Sequence, residues 1–306
     1  MSENLFKLYT TQFSTNLELK LQQMGSKLRG KVSEGFHVGK QASPINQIGA
    51  IQLKAPEGRF SPKNRTDADF TRRWVFPQDG EIDQLIDSFD ELKTIVDPKS
   101  QYVTNASNAV GRGWDDAIIA AAFGTAYTGA DANGLASETF DTTKYTIAST
   151  FGSSAASGLS VAKLIEAKRI LRKNHVDLDS DPVTLVIGSQ QESDLLNQVQ
   201  VVSTDFADRP VLTDGRVSRF LGFDIVVMER LPSVTSDTIR QVLCFAKSGL
   251  YLGMWKDSTN RVSIRNDLSG EPYDLYTSVS FGATRTQPGK VLQILCSDTS
   301  GADITP

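Results

Sequence analysis

The side chains that most often carry nucleophilic or metal chemistry are scarce in this chain of 306 residues, which holds two histidines, His37 and His175, and two cysteines, Cys244 and Cys296. The histidines lie far apart, and neither has a companion ligand at metal-binding spacing. His175 falls where a helical stretch ends, a place at which a cation is favoured by the helix dipole. Each cysteine sits in an apolar, strand-like run and reads as a small buried hydrophobe, with no disulfide framework.

Carboxylates offer little more. Asp177-Leu178-Asp179-Ser180-Asp181 alternates acids as a calcium loop does, but Pro182 stands where the loop needs glycine and Gly188 where it needs glutamate. A solvated turn is expected there. Asp115 and Asp116, beside Trp114, are neighbours on a helix and so point about 100° apart, which suits charge near a helix N-terminus better than acid–base work. Gly111-Arg112-Gly113 lacks the third glycine of a dinucleotide loop, and no phosphate-binding loop or nucleophile elbow occurs. Lys163, Lys168, Arg169, Arg172 and Lys173 form a basic helix without interleaved aromatics, so a solvated or intersubunit face is expected. No catalytic group, cofactor or metal site is expected.

The elements that would position such residues are clearer than the chemistry. Apolar and polar residues alternate from Tyr273 to Phe281 with the period of a strand, and Pro288-Gly289 separates this run from Val291, Leu292, Ile294 and Leu295, which predicts a long hairpin. Val183-Thr184-Leu185-Val186-Ile187 reads as a buried strand. Helices are predicted over residues 5–28, 82–96, 105–123, 160–173, where Ser160 is the cap, and 190–199. A polar, glycine-rich surface loop is predicted at 124–137. Strands and helices mix without a βαβ rhythm, which makes the class α+β. The signal-peptide pattern and any apolar run of membrane-spanning length are missing from the sequence.

Charge is unevenly placed. Residues 1–73 carry twelve Lys/Arg against six Asp/Glu, and residues 74–306 carry 20 against 30. A basic arm is thus joined to an acidic body, as suits an arm that binds nucleic acid or one that lies on a neighbouring copy. Between residues 31 and 77 short extended pieces are broken by Gly39, Pro44, Gly49, Pro56-Glu57-Gly58 and Pro62, and the return limb carries Arg59, Lys63, Arg65, Arg72 and Arg73. So long an excursion, with so little apolar content, orders more easily against another molecule than against its own body.

Several runs resemble a family of tailed-bacteriophage major capsid proteins: Gln22-Gln23-Met24-Gly25-Ser26-Lys27-Leu28-Arg29, Arg72-Arg73-Trp74-Val75-Phe76-Pro77, Asp97-Pro98-Lys99-Ser100-Gln101-Tyr102 and Ile118-Ile119-Ala120-Ala121-Ala122-Phe123-Gly124. The resemblance implies a Hong-Kong-97-type fold. It places an N-terminal arm at about 1–45, an extended β-hairpin loop at 46–76, a peripheral domain at 77–180 and 268–306 with its spine helix at 160–173, and an axial domain at 181–267.

It also implies a structural protein, not an enzyme, that assembles through pentamers and hexamers into an icosahedral shell around double-stranded DNA. Scaffold, portal and cement proteins are the accessory partners it implies; its place is the virion after synthesis in the host bacterial cytoplasm. A chain that opens on the arm implies a separate scaffold or none. Arg59, Lys63, Arg65, Arg72 and Arg73 are expected to face Asp83, Asp87, Asp90 or Glu91 of an adjacent subunit. The rivals are an encapsulin-like compartment holding protein cargo, a soluble α+β enzyme, and a nucleic-acid-binding module using the basic arm.

Overall fold

The computed structural model describes residues 21–39, 42–55, 65–86, 99–129, 135–198, 212–213, 216–217, 219–234 and 238–299. In chain order the first strands are β1 (Ser33–Phe36), β2 (Ala42–Ile48), β3 (Phe70–Val75), β4 (Gln78–Ile86), β5 (Ala126–Thr128), β6 (Ala136–Glu138), β7 (Thr146–Ile147) and β8 (Val183–Ile187). The later ones are β9 (Leu212–Thr213), β10 (Arg216–Val217), β11 (Arg219–Phe220), β12 (Phe223–Val227), β13 (Ser233–Val234), β14 (Ile239–Ala246), β15 (Leu250–Ile264), β16 (Tyr273–Arg285) and β17 (Val291–Ser297). The helices are α1 (Lys99–Phe123), α2 (Thr142–Tyr145), α3 (Val161–Lys173) and α4 (Ser189–Leu196). Packing divides the chain into a smaller unit, formed by Asp79–Arg112, Lys256–Ser280 and the described residues up to Ser26, and a larger one holding the rest.

The larger unit is built on a mixed sheet in the order β11, β12, β8, β14, β17, β7, with β13 added to β14. Both of its faces are buried. Leu185, Ile187, Val242, Cys244, Leu292, Ile294 and Cys296 join one core, with Leu164, Ala167 and Leu171 of α3 packed against them. The alternate residues Val186, Leu243, Phe245 and Val291 join a second core with Leu28, Val32, Ile118, Ile119, Ala122 and Leu252. A strand covered on both sides has no polar face, which is why β8 reads as a run that is apolar but for the buried Thr184. Ser160 caps α3, its hydroxyl accepting the Lys163 N–H at 3.4 Å, and the helix ends with His175 in the left-handed region at φ 60°.

Gly282 is required by a close approach. A Cβ there would lie 2.2 Å from the carbonyl oxygen of Phe76, a backbone atom that cannot swing aside. Gly282→Ala is therefore expected to lower stability by about 2 kcal/mol, read as a shift in urea midpoint at unchanged slope.

In the smaller unit β4 lies beside β16 and β16 beside β15. Leu275, Thr277 and Val279 are buried as the alternation requires, and the Tyr276 hydroxyl donates to Glu81 at 3.2 Å.

Five expectations are corrected. The helix predicted over 82–96 is strand as far as Ile86: Ile82, Gln84 and Ile86 turn inward, Glu81, Asp83 and Leu85 outward, and β16 supplies the hydrogen bonds; residues 87–98 lie outside the described set. Of the helix predicted over 5–28, residues 5–20 lie outside the described set and 21–28 are not helical, the chain bending at Gly25, φ 66°. The predicted hairpin of β16 with β17 does not form, because the two strands join different sheets. At the crossover the Thr286 N–H and hydroxyl donate to the carbonyls of Gly249 and Ser248, at 3.0 and 2.6 Å. Finally, the long helix is α1, with 25 residues, and not the 13-residue α3 that the resemblance had matched to the spine. The loop predicted at 124–137 contains the paired strands β5 and β6.

Candidate assembly surface

The loop expected to leave the body is anchored at its root by ordinary strand chemistry. β2 and β3 pair antiparallel, with Ile48 opposite Phe70, Asn46 opposite Arg72 and Ile45 opposite Arg73. β3 pairs in turn with β5, so the root belongs to a four-stranded sheet of order β2, β3, β5, β6. Side chains secure it further. The Trp74 indole N–H donates to the Gly129 carbonyl at 3.0 Å, the Gln47 amide donates to the Thr286 carbonyl at 3.1 Å, and Val75 is buried.

Beyond this root the character changes. Ile48, Ile51, Leu53 and Phe70 are all at least 60% exposed. Burying each of them would contribute roughly 1.5–3 kcal/mol, so the limb carries a row of apolar groups that its own chain leaves wet. Such a row is the usual mark of a contact surface.

The expected contact residues divide. Arg65 and Arg72 are exposed, as that role requires. Arg73 is not: only 7% exposed, it is ion-paired with Glu138 of its own chain. Adjacent strand residues point to opposite faces, so Arg72 and Arg73 could not both face outward, and Arg73 is corrected to a fastener of the loop root. Asp83 is exposed, and its carboxyl is held above the usual range first by a hydrogen bond to Asp274 and then by loss of solvent. Arg59, Lys63, Asp87, Asp90 and Glu91 lie outside the described residues.

The residues considered for chemistry are employed otherwise. Burial pushes the thiols of Cys244 and Cys296 up to about 12, which leaves neither a nucleophile at neutral pH. His37 Nε2 lies 2.7 Å from the Tyr251 hydroxyl. Asp177 accepts from the Asp179 N–H and the Ser180 hydroxyl, closing the expected turn. Asp115 is not at a helix N-terminus but inside α1, fully buried, and Asp116 pairs with Arg230. Of the basic helix, Lys163 is buried among carbonyls and Lys168 donates to the Leu221 carbonyl at 2.9 Å. Only Arg169, Arg172 and Lys173 stay exposed, so Lys163 and Lys168 are removed from the basic face expected to be solvated or intersubunit. Among the described residues, no group of three or more His, Cys, Asp or Glu is placed to hold a metal, and no helix is long and apolar enough to cross a membrane.

The family model described as phage capsid protein matches residues 6–298. No curated protein sequence matches the chain. Among solved structures, the capsid of the cyanophage P-SCSP1u is similar at 15% identity over 98% of this chain and 97% of its own, with a TM-score of 0.74. The capsid of the cyanophage Pam1 gives 11% identity, 96% and 98% coverage and 0.71. The mature capsid of bacteriophage PhiM1 gives 15%, 95% and 93%, and 0.66. At these identities the likeness is one of fold, extending over nearly the whole of each chain.

Proposed function

The chain belongs to the phage capsid protein family, and from that premise we propose how this structural, non-enzymatic protein of the virion builds its shell. Copies associate as pentamers and hexamers, close into an icosahedral shell, and enclose double-stranded DNA held without sequence specificity. Synthesis takes place in the host bacterial cytoplasm, with scaffold, portal and cement proteins as accessory partners. The arm is residues 1–45 and the extended loop 46–76; the peripheral domain is 77–180 with 268–306, and the axial domain 181–267.

The observation that carries this reading is the rooted loop with its exposed Ile48, Ile51, Leu53 and Phe70. A limb fixed at one end and apolar beyond it has contact area to offer and no surface of its own to cover. Arg59, Lys63, Arg65 and Arg72 of the same limb face Asp83, Asp87, Asp90 and Glu91 of the neighbour, which gives register to an apolar contact. Each such interface can be weak, because a subunit held by several neighbours meets the next contact at high effective concentration.

Electron microscopy of the purified protein tests this. Closed shells, or rings of five and six, are expected, with nuclease-protected DNA in shells from infected cells; shells filled instead with a protein cargo would favour a compartment of the encapsulin kind. Arg65→Glu with Arg72→Glu should lower shell yield several-fold while far-UV circular dichroism is unchanged, since reversing rim charges opposes association without touching the core. Undiminished yield from that variant would remove the loop arginines from the interface.

A further inference from the structure

One stripe of α1 carries three polar side chains that the proposed assembly has not used. Asn108, Arg112 and Asp115, with Gly111 among them, recur at helical spacing and so share a face. All of them engage residues 22–28. The Arg112 guanidinium donates to the Gln22 side chain at 2.7 Å and to the Gln23 carbonyl at 3.2 Å. Asn108 accepts the Gly25 N–H at 3.0 Å. Asp115, fully buried, accepts the N–H groups of Lys27 and Leu28 at 3.0 and 3.1 Å.

Steric fit reinforces the polar contacts. A Cβ on Gly111 would lie 2.5 Å from the carbonyl carbon of Gly25 and 2.6 Å from the nitrogen of Ser26, so this face has room for the segment only because position 111 is bare. Further along, the Arg29 guanidinium lies 4.3 Å from the centre of the Trp114 ring, the Lys27 ammonium donates to the Val227 carbonyl at 2.8 Å, and Leu28 is buried. This stretch has no helical ladder of its own, and the Gln23 amide's bond to the Gly25 carbonyl at 3.1 Å leaves its N–H groups to find partners elsewhere. Here its backbone is satisfied by the side chains of the helix it follows.

We infer that this stripe is a clasp, with Asp115, Asn108 and Arg112 the positioning residues of the N-terminal arm. They hold residues 22–29 in one register in the free subunit and so fix the point and direction from which the preceding arm leaves the body. The inference deepens the capsid reading and rests on it, because a fixed departure point matters only where the arm has a neighbour to reach. A clasped root lowers the ordering cost of that contact, since part of the arm is already immobile before the neighbour arrives.

Two variants separate the clasp from mere stability. Asn108→Ala with Arg112→Ala removes the hold on residues 22–25 while raising the helix propensity of α1, so its melting temperature should stay within about 2 °C of the wild type. Asp115→Asn replaces one of two acceptor oxygens by a donor facing an N–H. Trypsin cleavage after Lys27 in the unassembled protein reports the open root, because cleavage follows the population of opened backbone. The double variant should be cut about tenfold faster, the loss of roughly one hydrogen bond's worth of protection, and Asp115→Asn at least as fast.

Shell yield should fall several-fold at that matched melting temperature. Unchanged cleavage would overturn the clasp, and faster cleavage with normal shells would overturn its positioning role. If the wild type itself formed no shells or rings under any salt or scaffold condition, the assembly reading would fail with the positioning role, while cleavage would still decide whether the clasp exists.

Discussion

Arg285→Met is expected to destabilise the subunit by about 3–5 kcal/mol, the range for removing one partner of a buried charged network. Arg285 ends β16 and is fully buried. Its guanidinium donates to the carbonyls of Ala122 and Gly124, each at 2.8 Å, and to that of Glu138 at 3.1 Å. The first two are carbonyls at the C-terminal end of α1, where helix geometry leaves oxygens without intrahelical donors and the dipole end is negative. The third is the last residue of β6, and the guanidinium plane lies 5.3 Å from the Phe140 ring centre. One side chain therefore joins the end of the long helix to the sheet that carries the root of the extended loop. Methionine fills the volume but takes the donor from one buried and two partly buried carbonyls. Relief from desolving the guanidinium, whose pKa burial pulls below its usual value, offsets only part of that. Arg285→Lys keeps the charge but not the planar fork that reaches three oxygens, so it should recover less than half of the loss. Urea unfolding of the unassembled subunit gives both numbers, and a loss under about 1 kcal/mol for the methionine variant would show that water replaces the guanidinium without cost.

The sequence made some of this legible and concealed the rest for identifiable reasons. β8 was readable because a strand buried on both faces leaves no alternation to mistake, and Ser160 because a capping hydroxyl sits directly before the periodic run of α3. Turn residues and a lack of apolar partners suggested a hairpin between residues 48 and 60, and on either side of that segment β2 and β3 do pair antiparallel. β4 did not, because Ile82, Leu85 and Ile86 satisfy a helical stripe while Ile82, Gln84 and Ile86 satisfy a strand. The choice was made by β16, nearly two hundred residues away in sequence, and β-propensity is in large part such borrowed context.

The division of labour between Arg72 and Arg73 was available in principle. Once 70–75 is taken as a strand, parity alone sends the two side chains to opposite faces, and Val75, apolar and on the same parity as Arg73, marks the inner one. Asp115 is a different case. Its neighbour Asp116 suggested a charged helix end, and nothing local indicates that residues 27 and 28 bring two N–H groups to it. The acceptor and its donors are 87 and 88 positions apart, and only the folded chain introduces them.

Lys163 shows how far a local pattern can mislead, and it supplies the second large effect. It lies among the basic residues of α3, yet it is fully buried, with its ammonium donating to the carbonyls of Ser157, Gly158 and Leu295 at 2.8, 2.9 and 3.1 Å. It thereby ties the loop before α3 to β17. Lys163→Met, close in volume, should cost about 3 kcal/mol at neutral pH, because three buried oxygens lose their donor while the variant escapes the desolvation of an ammonium. That desolvation gives a pH signature. Burial holds Lys163 below its ordinary 10.5, so the unfolded chain binds the proton more tightly than the folded one, and stability rises with pH between the depressed folded value and 10.5. Burial holds the thiol of Cys296, near it, up to about 12 in the folded chain, so the folded thiol stays protonated through this window in both proteins and its unfolded titration is common to both. The wild type's advantage over Lys163→Met should therefore widen as pH climbs toward 10.5, with every other titrating group cancelling in the comparison. Paired urea unfolding curves from about pH 8 upward measure it, and an advantage that stays flat as pH approaches 10.5 and narrows only beyond it would mean the ammonium is stabilised by its three carbonyls more than it is penalised by burial.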